Sequence, residues 1–316
     1  MERIKSLVIT GSNGFVGQSI LDYIENLPDS LKPEKLTLIS KSAHRVNNRS
    51  KLRNLDITYI ECDLSKKWNF KSPGSVLINL AADGSQAAFS KDSADQFIRI
   101  SKNLTDWASE NKPKTIFHAS SGASLGIKRI YGETASLSLT GEPASFNKLD
   151  FIESRIKAEN NLLEMNNENN IKIIIGRLYS FVGPRILSKK HYALPAFIAG
   201  ALKNGVVEVE GNINTIRSYL HQEDMSEWIY RSLFVEKINS ILNIGSSVPV
   251  KIKELAELIA LETGSSVKYK NPDSLGDIYV ADNAETLGIL QSSENRKWKE
   301  SVIECLLIAK GSQNYN

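Results

Sequence analysis

The chain has little cysteine, with only Cys62 and Cys305, far apart, in 316 residues. Two isolated cysteines form neither a metal-ligand spacing nor a disulfide framework. Reduced thiols in a cytoplasmic protein are therefore expected, and no metal site is. An excess of one charge is also lacking: 39 Lys and Arg face 36 Asp and Glu, a net of +3. That balance removes the electrostatic footprint expected of a nucleic-acid or anionic-membrane binder. No apolar run approaches the roughly 18–20 residues a membrane span needs. The opening MERIKSLVIT enters a strand pattern without the apolar stretch of a signal peptide. There is no internal repeat. What remains, 41% hydrophobic and 24% charged residues, is the composition of a soluble globular protein.

Short β-rich runs are present at 6–10, 35–40, 57–63, 75–82, 114–120 and 171–178, with helical patterns near 15–27, 94–110 and 148–166. Continuous apolar strands alternating with helices indicate a parallel sheet covered on both faces. The expected fold is α/β: a Rossmann-like, doubly wound parallel sheet over residues 1–180, with a smaller C-terminal α+β substrate domain over 181–312. Segments around 213–248 are candidates to rejoin the first domain. In the cap, a helix is expected at 195–204, a short strand pair at VVEVEGN (206–212) and a helix at 251–264 closed by Gly264. The polar stretch 120–147 reads as loop.

TGSNGFVG (10–17) lies between the first strand and the first helix. Gly11, Gly14 and Gly17 permit a tight turn, close approach to a pyrophosphate and packing of helix on strand. The phosphates would sit at the helix N-terminus. Ser12, Asn13, Phe15 and Val16 complete the loop. After the second strand an Asp or Glu would select NAD by holding the ribose hydroxyls. The chain has Ser40, Lys41, Ser42 and Arg45 instead, hydroxyls and cations that suit a 2′-phosphate and favour NADP over NAD. Asp63 and Leu64 are placed near the adenine, and Leu80, Ala81 and Ala82 beside the middle of the cofactor.

With INLAA (78–82), HASSGASLG (118–126), GRLYSFVGP (176–184), RSYLHQEDM (217–225) and YVADNAETLGI (279–289), this turn forms an ordered series. The series resembles the extended short-chain dehydrogenase/reductases, in their nucleotide-sugar epimerase/dehydratase/reductase branch. The resemblance implies hydride transfer at a sugar carbon, with a Tyr-x-x-x-Lys pair one helical turn apart as acid and base and a Ser or Thr on the reacting oxygen. It places the serine at Ser121 and the cofactor-facing tyrosine at Tyr179. Ser154 and Glu159 set the register of the catalytic helix, which puts Phe151 where the tyrosine belongs and Arg155 where the lysine belongs. Phenylalanine has no proton to exchange. Arg155 can keep the charge and the ribose contact, but it stays protonated. Glu153 and Lys157 point to other faces and do not repair the pair. Ser180, Leu125 and Ser274 replace further residues of the pattern.

The same resemblance gives Arg217 to a substrate diphosphate, with Asp83, Ser121, Ser180 and Asp277 as further substrate contacts. Replacement proton donors are sought at Ser121 and in the loop holding His191 and Tyr192. The first reading of that loop is a plain surface histidine with a packing tyrosine, and Asp83 could equally be a helix cap. Tyr131 and Glu133 lie in the uncertain loop, and His118 reads as a core residue. The expected activity is an NADPH-linked reductase of a nucleoside-diphosphate 4-keto-6-deoxy sugar. The alternatives are an epimerase or dehydratase that retains NAD, and a catalytically impaired binding protein. A homodimer is a further expectation of the resemblance.

Overall fold

The computed structural model describes residues 3–42, 52, 55–82, 86–125, 128–130, 149–236, 240–273 and 276–312. Strands β1 (Ser6–Thr10), β2 (Lys35–Ser40), β3 (Asp56–Glu61), β4 (Val76–Asn79) and β5 (Thr115–Ser121) arise from the apolar runs. β6 (Lys128–Ile130) lies outside that series, and β7 (Lys172–Leu178) resumes it. Together with β12 (Ser240–Ile244) the series forms a seven-stranded sheet in the order β12-β7-β5-β4-β1-β2-β3. All its pairings are parallel. Strand order reverses between β1 and β4, and ligands of doubly wound sheets bind beyond the strand C-termini at such a point.

Both faces of the sheet are covered. On one, α1 (Phe15–Asn26) and α5 (Gln222–Ser232) bury Ile20, Leu21, Ile24, Trp228 and Ile229 against Leu7, Ile9 and Phe117. On the other lie α2 (Lys91–Asn111) and α3 (Leu149–Asn169). α2 begins at Ser90, whose hydroxyl accepts the Ser93 amide, and it presents Ile100, Leu104, Trp107 and Ala108 at helical spacing. α3 adds Leu162 and Met165 to the same core. Its buried face also carries polar groups, Ser154, Arg155 and Glu159.

The remaining elements build a cap: α4 (Ala193–Asn204), β9 (Val206–Val209), α6 (Ile252–Thr263), β14 (Ser266–Tyr269) and α8 (Trp298–Gly311) share one core around Phe197, Ile198, Val207, Ile259 and Leu306. α6 ends at Gly264 with φ +68°, the left-handed conformation that glycine adopts without strain. The strand pair expected within 206–212 is not formed. β9 pairs in parallel with β14, some sixty residues later in the sequence, through Val206–Ser266 to Val209–Tyr269. A four-stranded sheet of β13 (Val250–Lys251), β10 (Ile216–Arg217), β15 (Gly276–Tyr279) and β6 lies between cap and large sheet. β8 (Phe181–Val182) and β11 (Leu220–His221) form a small parallel pair, and α7 (Ala284–Leu290) precedes α8. Because β12 follows α4, β9 and α5, the chain enters the cap and returns to the large sheet. Among the described residues no helix is long and apolar enough to cross a membrane, and no cluster of His, Cys, Asp and Glu can hold a metal ion.

Candidate active site

A cavity of about 1200 Å³ runs from the β1–α1 turn to the cap. At its first end Gly11, Gly14, Phe15, Val16 and Gly17 form the wall. Gly11 has φ +67°, and a Cβ there would lie 2.8 Å from the Leu80 carbonyl oxygen. A Cβ at Gly17 would lie 2.6 Å from the Gly11 oxygen. Both positions therefore require glycine for the turn to close. No side chain caps α1, and its first turn has no carboxylate. Its positive N-terminal end is thus open to an anionic group, as a dinucleotide pyrophosphate requires.

The rest of the expected cofactor set divides. Leu80, Ala82 and Tyr179 line the cavity. Ala81 packs into the α2–α3 core, and so does Leu64, whose carbonyl is taken by Trp68 and Asn103. Ser12 is buried and donates to the Ile39 carbonyl. Ser40 and Asn13 both donate to the Ser42 carbonyl, tying the glycine turn to the end of β2. Lys41 lies 3.8 Å from Asp63. The Asp63 carboxyl is held below its usual range by hydrogen bonds from Ser65, with Lys41 and Lys66 adding to the effect. Arg45, Asp83, Tyr131 and Glu133 lie outside the described residues, as do Gly126 and Ser274.

In the middle of the cavity stand Ser121, Phe151 and Arg155. Ser121 ends β5; its Oγ accepts the Ala123 amide and lies 3.2 Å from the Tyr279 hydroxyl. Tyr279 in turn donates to the Leu178 carbonyl at 3.0 Å, and its ring packs against Tyr179 with centroids 4.8 Å apart. Burial raises the Tyr279 phenol pKa, and Ser121 and Arg217 pull against that rise. Phe151 and Tyr279 both pack on Ala123 and Ile152.

Arg155 is 4% exposed. Its guanidinium carbon sits 3.4 Å from the Phe97 ring centroid and 4.2 Å from that of Phe151, and Nη1 donates to Ser154. Such a cation between two aromatic faces is favourable where water is excluded. The contact with Phe97, from α2, ties Arg155 into the helix interface as well as the cavity wall. Beneath it, Thr10 donates to Asn79, and Asn79 to His118 Nδ1. The His118 proton is therefore on Nε2, which has no partner among the described residues. Burial, then the nearby Arg155 charge, lowers the His118 pKa to about 3.

Glu159, one turn on from Arg155, accepts from Ser120 at 2.5 Å, Ser124 at 2.9 Å and Arg177 at 2.6 Å. It thereby fixes the end of β5, and so Ser121, to α3 and β7. At the cap end, His191 and Tyr192 both line the cavity with their rings 4.3 Å apart, and both are exposed. Ser180, Arg217 and Asp277 line it as well. Arg217 is not a free cation: it is ion-paired with Asp277 and also donates to the Ile216 carbonyl.

Over residues 7–245 the sequence matches the NAD dependent epimerase/dehydratase family. The chain belongs to this family. One relative of the epimerase/dehydratase group is the trifunctional UDP-glucose 4,6-dehydratase/UDP-4-keto-6-deoxy-D-glucose 3,5-epimerase/UDP-4-keto-L-rhamnose reductase of Arabidopsis thaliana. It is 23% identical over 56% of this chain, and the match spans only 27% of that protein. The dTDP-4-dehydro-6-deoxyglucose reductase of Escherichia coli is 21% identical over 95% of this chain and 94% of its own length. Among solved structures, MoeE5 in complex with UDP-glucose and NAD superposes with a TM-score of 0.77 at 18% identity, covering 97% of this chain and 99% of the other. The UDP-glucose 4-epimerase of Thermotoga maritima, with UDP-glucose, gives 0.74 at 18% identity and the same coverage.

Two residues beside Ser121 and Arg155 were not picked out from the sequence. Tyr279 was legible only as part of a C-terminal motif, because its partner Ser121 lies 158 positions away. Phe97 on α2 was not singled out, since nothing local to it announces the guanidinium it covers.

Proposed function

We propose that the chain binds a nicotinamide dinucleotide and a nucleoside-diphosphate sugar in this one cavity and moves hydride between them, as an NAD-linked sugar-nucleotide oxidoreductase of the epimerase/dehydratase type. The observation that carries the reading is the continuity of the cavity from the open N-terminus of α1, past Ser121, to the Arg217–Asp277 pair. The glycine turn and α1 would hold the pyrophosphate, Tyr179 and Arg155 the nicotinamide end, and Arg217 with Ser180 and Asp277 the sugar diphosphate. Phe151 and Arg155 stand in place of the family's Tyr and Lys on this reading, so the usual phenol is absent.

NAD is preferred here to the NADP expected from composition. Lys41 already has a carboxylate partner in Asp63, and MoeE5 was solved with NAD. One observation favours a second reading, reduction of a 4-keto sugar with NADPH or NADH. The hydroxyls near the reaction centre belong to Ser121 and to Tyr279, whose phenol burial keeps protonated, so that a proton is at hand for a reduced oxygen. The full-length relative from Escherichia coli is a reductase. On either reading a homodimer remains the expected assembly.

The test is to identify the dinucleotide that co-purifies with the chain and to incubate the chain separately with UDP-glucose and with UDP- and dTDP-4-keto-6-deoxyglucose. Epimerised or dehydrated UDP-glucose without added dinucleotide supports the first reading. Stoichiometric oxidation of added NADH or NADPH supports the second. Tight dinucleotide binding with neither outcome would mean that the chain only binds.

A further inference from the structure

Ser121 cannot by itself replace a missing phenol. Its hydroxyl is far too weak an acid to leave as an alkoxide, so any proton it gives must be replaced in the same step. The group placed to replace it is Tyr279. Its Oη lies 3.2 Å from Ser121 Oγ, and a second hydrogen bond of 3.0 Å to the Leu178 carbonyl orients the phenol. Ser121 Oγ accepts the Ala123 amide, and with the phenol proton on the Leu178 carbonyl the serine proton points at Tyr279 Oη at rest, so both hydroxyls turn for transfer toward a substrate. Phe151 and Tyr279 approach the same two residues, Ala123 and Ile152, from α3 and from β15. The phenol thus enters from the strand opposite the helix that carries the phenyl ring.

We propose that Tyr279, which itself lines the cavity, supplies the proton for the reacting sugar oxygen through Ser121, acting as a positioning residue by way of the serine. The inference rests on the hydride-transfer reading above. A bound reduced dinucleotide would deliver hydride to the carbonyl carbon. The carbonyl π pair then becomes an oxygen lone pair, and that oxygen takes the proton of Ser121 Oγ. Ser121 takes the Tyr279 Oη proton, which leaves its bond to Leu178, and the phenolate is later reprotonated by water. Among the groups facing the phenolate, Arg217, the register neighbour of Tyr279 across β10–β15, favours it although paired with Asp277, while burial and the stacked Tyr179 oppose it. Burial keeps the phenol protonated at rest, so the proton is present, and its release is driven by the more basic alkoxide that hydride transfer creates on the sugar. The epimerase reading needs the same path in both directions.

The test uses the full chain with NADH and NADPH as donors and UDP- and dTDP-4-keto-6-deoxyglucose as acceptors. Tyr279→Phe is expected to lower kcat by about a hundredfold or more, with KM and the dinucleotide Kd unchanged within roughly threefold. Ser121→Ala should lose at least as much, and the double variant no more than Ser121→Ala alone, because one route is removed once. Tyr279→His restores part of the lost kcat and adds a pH limb near the histidine range, which covers the case in which the phenylalanine variant fails to fold. Turnover by the wild type with an unchanged Tyr279→Phe rate overturns the relay and leaves the functional reading standing. Additive losses in the double variant also overturn the relay. No turnover by the wild type with any pair overturns the functional reading, and the relay with it.

Discussion

Mild acid should destabilise this protein through His118. The imidazole is fully buried between Asn79 and the Phe97 ring, next to the Arg155 guanidinium, and its Nε2–H has no partner among the described residues. Desolvation, then the Arg155 charge, takes its pKa from 6.5 to about 3. Below pH 6.5 the unfolded chain gains a proton that the folded chain refuses, so stability is complete above that pH and is lost as pH falls toward about 3. At about pH 5 the gap spans roughly 1.5 pH units at about 1.36 kcal/mol each, a loss of about 2 kcal/mol. The assay is urea denaturation of the wild type and of His118→Gln at neutral pH and about pH 5. His221, lowered to about 4 by burial, adds a loss of the same sign to both proteins and cancels in their difference. The variant should start less stable, since Asn79 loses its ring partner, yet its stability should fall by about 2 kcal/mol less on acidification. Equal acid losses in the two proteins would refute the reasoning, because a histidine that titrates normally in the fold adds nothing to the slope.

Three further perturbations follow from the site. Glu159→Gln leaves the Arg177 guanidinium without its carboxylate in a largely buried setting and should cost about 3 kcal/mol in denaturant unfolding; a loss under about 1 kcal/mol would mean the network around Ser120 and Ser124 adds little. Gly17→Ala drives a Cβ to 2.6 Å from the Gly11 oxygen and 2.8 Å from Ser12, both backbone; dinucleotide affinity by fluorescence titration should fall more than about tenfold, and stability by about 2 kcal/mol. Phe151→Tyr adds a phenol beside Ala123 and Ile152 and should raise kcat by about tenfold or more if a direct acid is what the site lacks; a fall in rate would mean that the bare ring over Arg155 has its own role.

The parts of the fold that can be read from the chain are those whose signal is local. β1, β2 and β7 match continuous apolar runs almost residue for residue, and α6 ends at the glycine that its sequence offers. The glycine turn was legible because close backbone approach leaves glycine as the residue that fits. Pairing partners were not legible. Alternation in VVEVEGN marks a strand but says nothing of β14, its partner from far along the chain. The site shows the same limit. The family resemblance singles out Phe151, Arg155 and Glu159 on α3, whereas what they touch comes from α2, β5 and β7. Composition suggested that Lys41 waits for a phosphate, and the resemblance that Arg217 waits for a diphosphate; each has a carboxylate beside it, from residues that only the fold brings near.

The most direct test of the account is label transfer. NADH and NADPH deuterated at the nicotinamide C4 are supplied with UDP- and dTDP-4-keto-6-deoxyglucose, and the sugar products are analysed by mass spectrometry. If the single cavity joins the two ligands for chemistry, deuterium appears on the sugar carbon that was the carbonyl, and Ser121→Ala removes it. Saturable binding of both ligands to the wild type with no deuterium in any sugar would contradict hydride transfer.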